Sequence, residues 1–179
     1  METYRLVPHP LTPPGRVTAV EVEVIVAPGD DMLMTFRVDG AEHLLVPQHA
    51  SPGRRDGLWQ STCFELFLKP VGGDAYFEFN FSPSTEWAAY RFDGHREGRE
   101  NLERPVDPHI DRLGDGEEVI EVDFDLSGLP NVPMRMGLSA VLEERDGTKS
   151  YWALAHPPGD ADFHHAACFA AELPPARPA

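Results

Sequence analysis

Residues 76–92 read YFEFNFSPSTEWAAYRF. Two short alternating runs flank a polar turn, which is the pattern of a β-hairpin. On the first run Phe77, Phe79 and Phe81 point one way, while Tyr76, Glu78, Asn80 and Ser82 point the other, because side chains alternate along a strand. The phenylalanines predict a core row. The opposite row carries a carboxylate and an amide, with Trp87 nearby, and predicts a polar face that does more than meet solvent.

The same period of two recurs on both sides of this stretch. Val20, Val22, Val24 and Val26 alternate with Glu21 and Glu23. Met32, Met34, Phe36 and Val38 form a second row, and Phe64, Leu66 and Leu68 a third. Ile120, Val122, Phe124 and Leu126 form a fourth, and Met134, Met136, Leu138, Ala140 and Leu142 a fifth. Residues 151–156 and 163–173 read as two more strands. PGDD at 28–31, GGD at 72–74, GDGE at 114–117 and RDGT at 145–148 supply hairpin turns. No amphipathic helix is legible, and 18 prolines disfavour long helices. About nine or more short strands predict an all-β, antiparallel β-sandwich. A length of 179 residues without repeat or composition shift predicts one domain over 1–179. Its core is expected over about 17–173, with proline-rich, extended ends at about 8–16 and 174–179.

The composition narrows the function. Thirty acidic against 15 basic residues give a formal charge of −15. Such a surface repels phosphate backbones and anionic membranes, so neither nucleic acid nor membrane is an expected partner. No run approaches the ~18 apolar residues of a membrane span. The opening METYRLVPHPLTPPG lacks the basic and apolar regions of a signal peptide. Two cysteines, Cys63 and Cys168, make no disulfide framework. A cytoplasmic protein is expected. No phosphate loop, G-x-S-x-G, H-E-x-x-H or C-x-x-C occurs.

Three constellations remain. If the central strands are neighbours, Glu65, Glu78, Asn80 and Arg91 converge on one surface with Trp59 and Trp87 beside them. Carboxylate, amide and guanidinium accept and donate hydrogen bonds, and rings offer flat apolar faces, which together suit a sugar. The plain alternative is a solvated face with one ion pair. The stretch HPPGDADFHH offers His156, Asp160, Asp162, His164 and His165 to a divalent metal, but matches no ligand template, and no metal site is expected. Met32, Met34, Met134 and Met136 with His156 or His164 could supply an axial haem pair. Each methionine stands in a core-like row, so no cofactor is expected and haem is kept as an alternative.

DGLWQSTCFELFLKPVGGDAYFEFNFSPSTEWAAYRFDG (56–94) resembles the core of DOMON-like domains, in the branch related to family-nine carbohydrate-binding modules. YWALAHPPGDADFHHAACF (151–169) resembles their closing strands. The resemblance implies an immunoglobulin-like sandwich that binds a small ligand, a sugar or haem, on one sheet without catalysis. It implies a sugar held between two tryptophans, here Trp59 and Trp152, with Glu65 as acidic partner and Arg91 as basic partner. His156 joins by proximity. Two rival functions stay open beside this one. The first is a glycoside-directed enzyme using Glu65 and Glu78, which needs carboxylates ~5–9 Å apart. The second is an interaction module.

Overall fold

A computed structural model describes residues 1–114 and 118–175, with Glu118 described by its backbone alone. Within them the chain forms thirteen strands. They are β1 (Glu2–Pro8), β2 (Ala19–Val26), β3 (Asp31–Asp39), β4 (Gly53–Arg54), β5 (Cys63–Pro70), β6 (Tyr76–Phe81) and β7 (Glu86–Phe92). Then come β8 (Glu100–Asn101), β9 (His109–Leu113), β10 (Glu118–Asp125), β11 (Met134–Glu143), β12 (Lys149–Ala153) and β13 (Ala171–Leu173). Short 3₁₀ turns at Ala41–His43, Leu58–Gln60 and Ala166–Cys168 are the helical elements among the described residues.

The strands join into one sheet of order β4-β7-β6-β5-β11-β12-β1-β2-β3-β10-β9, with β8 beside β7 and β13 beside β11. β1 is the hinge of this order. Its residues from Glu2 to Leu6 pair with β2, while Val7 and Pro8 pair with β12. The sheet thereby curls, and its two halves face each other across one core. Phe36 of β3 meets Phe64 of β5 at 4.9 Å between ring centroids, and Phe79 of β6 meets Phe124 of β10 at 4.7 Å. The all-β reading is right. The sheet is mixed and not wholly antiparallel, since β4 runs parallel to β7.

The valine, methionine, phenylalanine and leucine rows read from the sequence are the strands of this core. Val26 is the exception, exposed at the end of its strand. Three expectations change. The stretch 163–173 is mostly loop, with only Ala171–Leu173 in the sheet, because Phe163, Cys168 and Phe169 fold onto the outside of the β5 half. Glu2–Pro8 form the linking strand, which its mixed polar sequence disguises. The proline-rich 8–16 segment is tied down at its end: backbone N–H groups of Gly15, Arg16 and Val17 donate to the Glu144 carboxylate, itself 2% exposed. Of the GDGE turn, residues 115–117 lie outside the described residues, as does the tail 176–179.

Candidate functional site

Directly opposed residues of neighbouring strands project to the same side. Glu65 on β5 opposes Asn80 on β6 and Ser139 on β11. Glu78 opposes Phe67 on β5 and Tyr90 on β7. Glu65, Glu78, Asn80 and Tyr90 therefore share the face turned away from the core. This face is not open: all six residues of β6 are buried. What covers it is a second apolar cluster, in which Phe169 lies against Phe67 and Tyr76 and Phe163 against Tyr151. Gly137 permits that cover, since a Cβ there would stand 2.8 Å from the Phe169 ring and 3.2 Å from the Cys168 carbonyl oxygen.

Between face and cover lies a cavity of about 760 Å³. Glu65, Glu78, Tyr90 and Val141 line its floor, and His9 and Thr12 close the end next to β1. Trp59, 47% exposed, also lines the cavity, as do Arg96, Arg99, Asp160, Ala161, Phe163 and His164.

Both carboxyl groups on the floor are held. Ser139 Oγ donates to Glu65 Oε2 at 2.9 Å, and Asn80 Nδ2 donates to Glu78 Oε1 at 2.9 Å. Asn80 is fully buried, and its Oδ1 has no hydrogen-bond partner among the described residues. Burial raises the Glu65 carboxyl to about 8, and the nearby charge of Glu78 adds to the rise. Burial also raises Glu78, against the opposing pull of the Asn80 hydrogen bond and of Arg99 and Arg96. His164 moves the other way. Desolvation, then the charge of Arg96, lowers it to about 4. The 3.7 Å approach of His164 Nε2 to Glu78 Oε2 is thus no ion pair at neutral pH.

A clasp of two loops fixes His164. Tyr76 Oη accepts from the Arg96 backbone N–H at 3.1 Å, which leaves the phenol proton for His164 Nδ1 at 2.7 Å. That network assigns the imidazole proton to Nε2, the nitrogen facing Glu78. Asp162 accepts from Arg96 Nε and Nη2 at 3.1 and 2.8 Å, and its other oxygen lies 2.7 Å from His95 Nε2. Arg96 reaches this position with φ of 58°. Arg99 lies over the Tyr90 ring at 5.0 Å, and Tyr90 Oη donates to Asp56 Oδ1 at 2.6 Å.

The structure gathers part of the sequence-derived set. Trp59, Glu65 and Glu78 line the cavity, and Asn80 lies directly beneath it. Arg91 does not join them. It opposes Phe77 on the core side of the sheet, and at the strand end its guanidinium turns out to Asp93 at 2.6 Å. Trp87 and Trp152 are core residues, 4% and 2% exposed. Trp87 takes Arg54 over its ring at 4.7 Å, and Trp152 Nε1 donates to Ser150 Oγ. Trp152 is therefore no second wall; Tyr151, one residue earlier, reaches the cavity instead. His156 stands behind His9, ring against ring at 4.8 Å, and donates from Nε2 to the Val7 carbonyl. The four methionines lie in the core between the sheet halves, on the opposite face of the sheet from His164. Sequence reasoning missed Arg96, Arg99, His9 and Phe163, all of them on loops whose placement no periodicity reports.

No family model matches the chain, and no curated protein matches it. A family-nine carbohydrate-binding module from Caldicellulosiruptor kristjanssonii, solved with glucose and with cellotriose, aligns at TM-score 0.49 and 12% identity. The alignments cover 83% of this chain and 72% and 70% of the module. A crystal structure from Bacteroides uniformis, named a "putative carbohydrate-binding protein", aligns at TM-score 0.67 and 16% identity over 94% of this chain and 83% of that one. That likeness over nearly the whole chain establishes a shared fold.

Proposed function

We propose that this chain is a single-domain, non-catalytic saccharide-binding module, a DOMON-like variant of the immunoglobulin-type sandwich in the branch related to family-nine carbohydrate-binding modules. The observation that carries the reading is a cavity whose floor holds two carboxyl groups and whose rim holds aromatic faces and guanidinium groups. A pyranose presents hydroxyls at its edge and C–H groups on its face. Hydroxyls need fixed acceptors and donors, which Glu65, Glu78, Arg96 and Arg99 supply. The C–H face needs a ring, which Trp59 and Tyr90 supply. Glu65, Glu78 and Tyr90 stand on strands, so little ordering cost falls on binding. The name given to the Bacteroides protein of the same fold supports the same class of ligand.

Isothermal titration calorimetry against glucose, galactose, mannose, N-acetylglucosamine and cellobiose tests the reading. Saturable binding is expected with at least one, and Trp59→Ala is expected to weaken it by ten-fold or more without lowering the melting temperature, since Trp59 is half exposed. Failure of the whole panel would overturn it. Turnover of chromogenic glycosides, lost in Glu65→Gln, would replace the binder with an enzyme.

A further inference from the structure

We propose that Glu65 and Glu78 hold one proton between them, so that Glu65 meets the occupant of the cavity as a neutral carboxylic acid and Glu78 meets it as a carboxylate. The ligand would then be read by a donor and an acceptor side by side. The saccharide reading above supplies only the class of ligand.

The argument begins with placement. Glu65 opposes Asn80, and Glu78 stands two residues before Asn80 on the same strand. The two glutamates are therefore diagonal neighbours, roughly 7 Å apart at the backbone. They are 3% and 5% exposed and line one cavity. Two carboxylates so placed cannot both stay ionised without cations between them. The nearby guanidinium groups make their direct contacts elsewhere and act on the pair only from a distance. Arg96 is forked onto Asp162, and Arg99 lies over the Tyr90 ring at the rim. His164, lowered to about 4, is no cation at neutral pH, and its Nδ1 accepts from the Tyr76 phenol.

Which carboxyl keeps the proton follows from its neighbours. Glu78 receives the Asn80 amide donor and feels both Arg99 and Arg96, so its charge is the better supported. Glu65 receives the Ser139 hydroxyl, which can also accept, and feels Arg96 against the adverse charge of Glu78. The other titratable groups facing the pair are Cys63 on β5, Tyr76 on β6, Tyr90 on β7, Tyr151 on β12, and His9 and Asp160 at the cavity ends. None of these is hydrogen-bonded to either carboxyl among the described residues. Burial and Glu78 together raise Glu65 to about 8, which agrees with this assignment.

In the neutral form Glu65 O–H donates to a ligand oxygen while a Glu78 oxygen accepts from a ligand hydroxyl. Once Glu65 ionises, the donor is lost and two like charges face the ligand. Side-chain ¹³C NMR of the ligand-free protein tests the proton directly. One glutamate carboxyl is expected to titrate near pH 8, and to be absent in Glu65→Gln. Glutamate carboxyls that all titrate below pH ~6 would overturn the proposal. Calorimetry with D-glucose from pH 6 to 9.5 tests the use of the proton. Wild-type affinity should fall by up to ten-fold per pH unit above about 8. Glu65→Gln keeps a donor of the same shape, so it should bind and lose that dependence. Flat wild-type affinity, or an unchanged dependence in the variant, would refute the donor role. Where glucose does not bind, the same pH series is run with whichever panel sugar binds; failure of the whole panel overturns the saccharide reading, while the NMR titration of the wild type still decides the proton.

Discussion

The two halves of the sheet turn different faces outward. On the half built from β2, β3 and β10, Glu21, Arg37 and Asp123 stand exposed, and Glu23 lies 3.9 Å from Arg37 in an open ion pair. On the half built from β5, β6 and β7, Glu65, Glu78 and Asn80 occupy the corresponding outward positions and are buried. Acidic residues alternate with apolar ones in both. The difference is what lies over them: water on one half, loops and a cavity on the other. An alternating carboxylate thus says that a residue points away from the core, and nothing about whether it meets solvent. What does separate the halves is the company it keeps. The outward row of the β5 half also carries Phe67, Tyr76, Tyr90 and Phe92, and rings in an outward row require a cover.

The largest effect expected belongs to the layer that both halves share. Phe79 is 1% exposed and packs edge-on against Phe124 of the opposite half. Phe79→Ala should cost ~3–5 kcal/mol in denaturant melts. A loss below ~1 kcal/mol would mean that the core is not where the comparison puts it.

Next comes the cover itself. Gly137→Ala places a methyl group against the Phe169 ring and the Cys168 carbonyl. The cover must lift or the strand must shift, at roughly 1–3 kcal/mol. The variant is expected to melt earlier and to bind saccharide less well, because residues 160–164 reach the cavity from the same loop. A variant with unchanged stability and binding would show that the outward face of β11 is open.

How much of this was legible can be argued from single residues. The alternation around Phe79 reports both the core row and the polar row, since strand parity fixes the side once one row is apolar. On β7 parity was equally clear, yet it could not choose the side. Trp87 and Ala89 form one apolar row, and Ala88, Tyr90 and Phe92 form another, and both are buried. Arg91 rides with the first row and escapes the core only because it sits at the strand end, where a long side chain reaches solvent. The same ambiguity misplaced Trp152: on β12 its row faces the core, and Tyr151 faces the cavity. The Arg96–Asp162 clasp was out of reach in principle, because it joins loops 66 residues apart in the chain.

The pH dependence of stability should also differ between the halves, and its sign follows mainly from Glu65 and His164. Glu65 rises from 4.5 to about 8 on folding. The folded state therefore binds the extra proton between those values, and stability falls as pH rises through that window. His164 drops from 6.5 to about 4. The unfolded state binds that extra proton, so stability rises with pH between about 4 and 6.5. From 4.5 to 6.5 the two slopes oppose. From 6.5 to 8 the His164 slope is gone and the Glu65 slope remains, at up to ~1.4 kcal/mol per pH unit, with the burial-raised Glu78 acting in the same direction. Urea melts should show this decline in the wild type and a flatter line in Glu65→Gln. A wild type equally stable at pH 6.5 and 8 would show that the outward face of the β5 half is wet like its counterpart.

The smallest effect is expected on that counterpart, and its smallness is what the comparison needs. Glu23 and Arg37 make the ion pair most like a Glu65 contact in sequence terms: a carboxylate on an alternating strand, one row off the core. Their side chains, however, are 36% and 50% exposed and 3.9 Å apart. Water screens the attraction, and both side chains lose rotamer freedom to hold the contact. Glu23→Ala should therefore change stability by no more than ~0.5 kcal/mol, and Glu23→Gln should leave the profile between pH 6.5 and 8 unaltered. The pair of substitutions Glu23→Gln and Glu65→Gln removes the same ionisable group from the two outward faces. A pH profile altered by the first as much as by the second would trace the dependence to the charge of the whole chain. A profile altered by the second alone would trace it to the cover over β5 and β6, the feature in which the two halves differ.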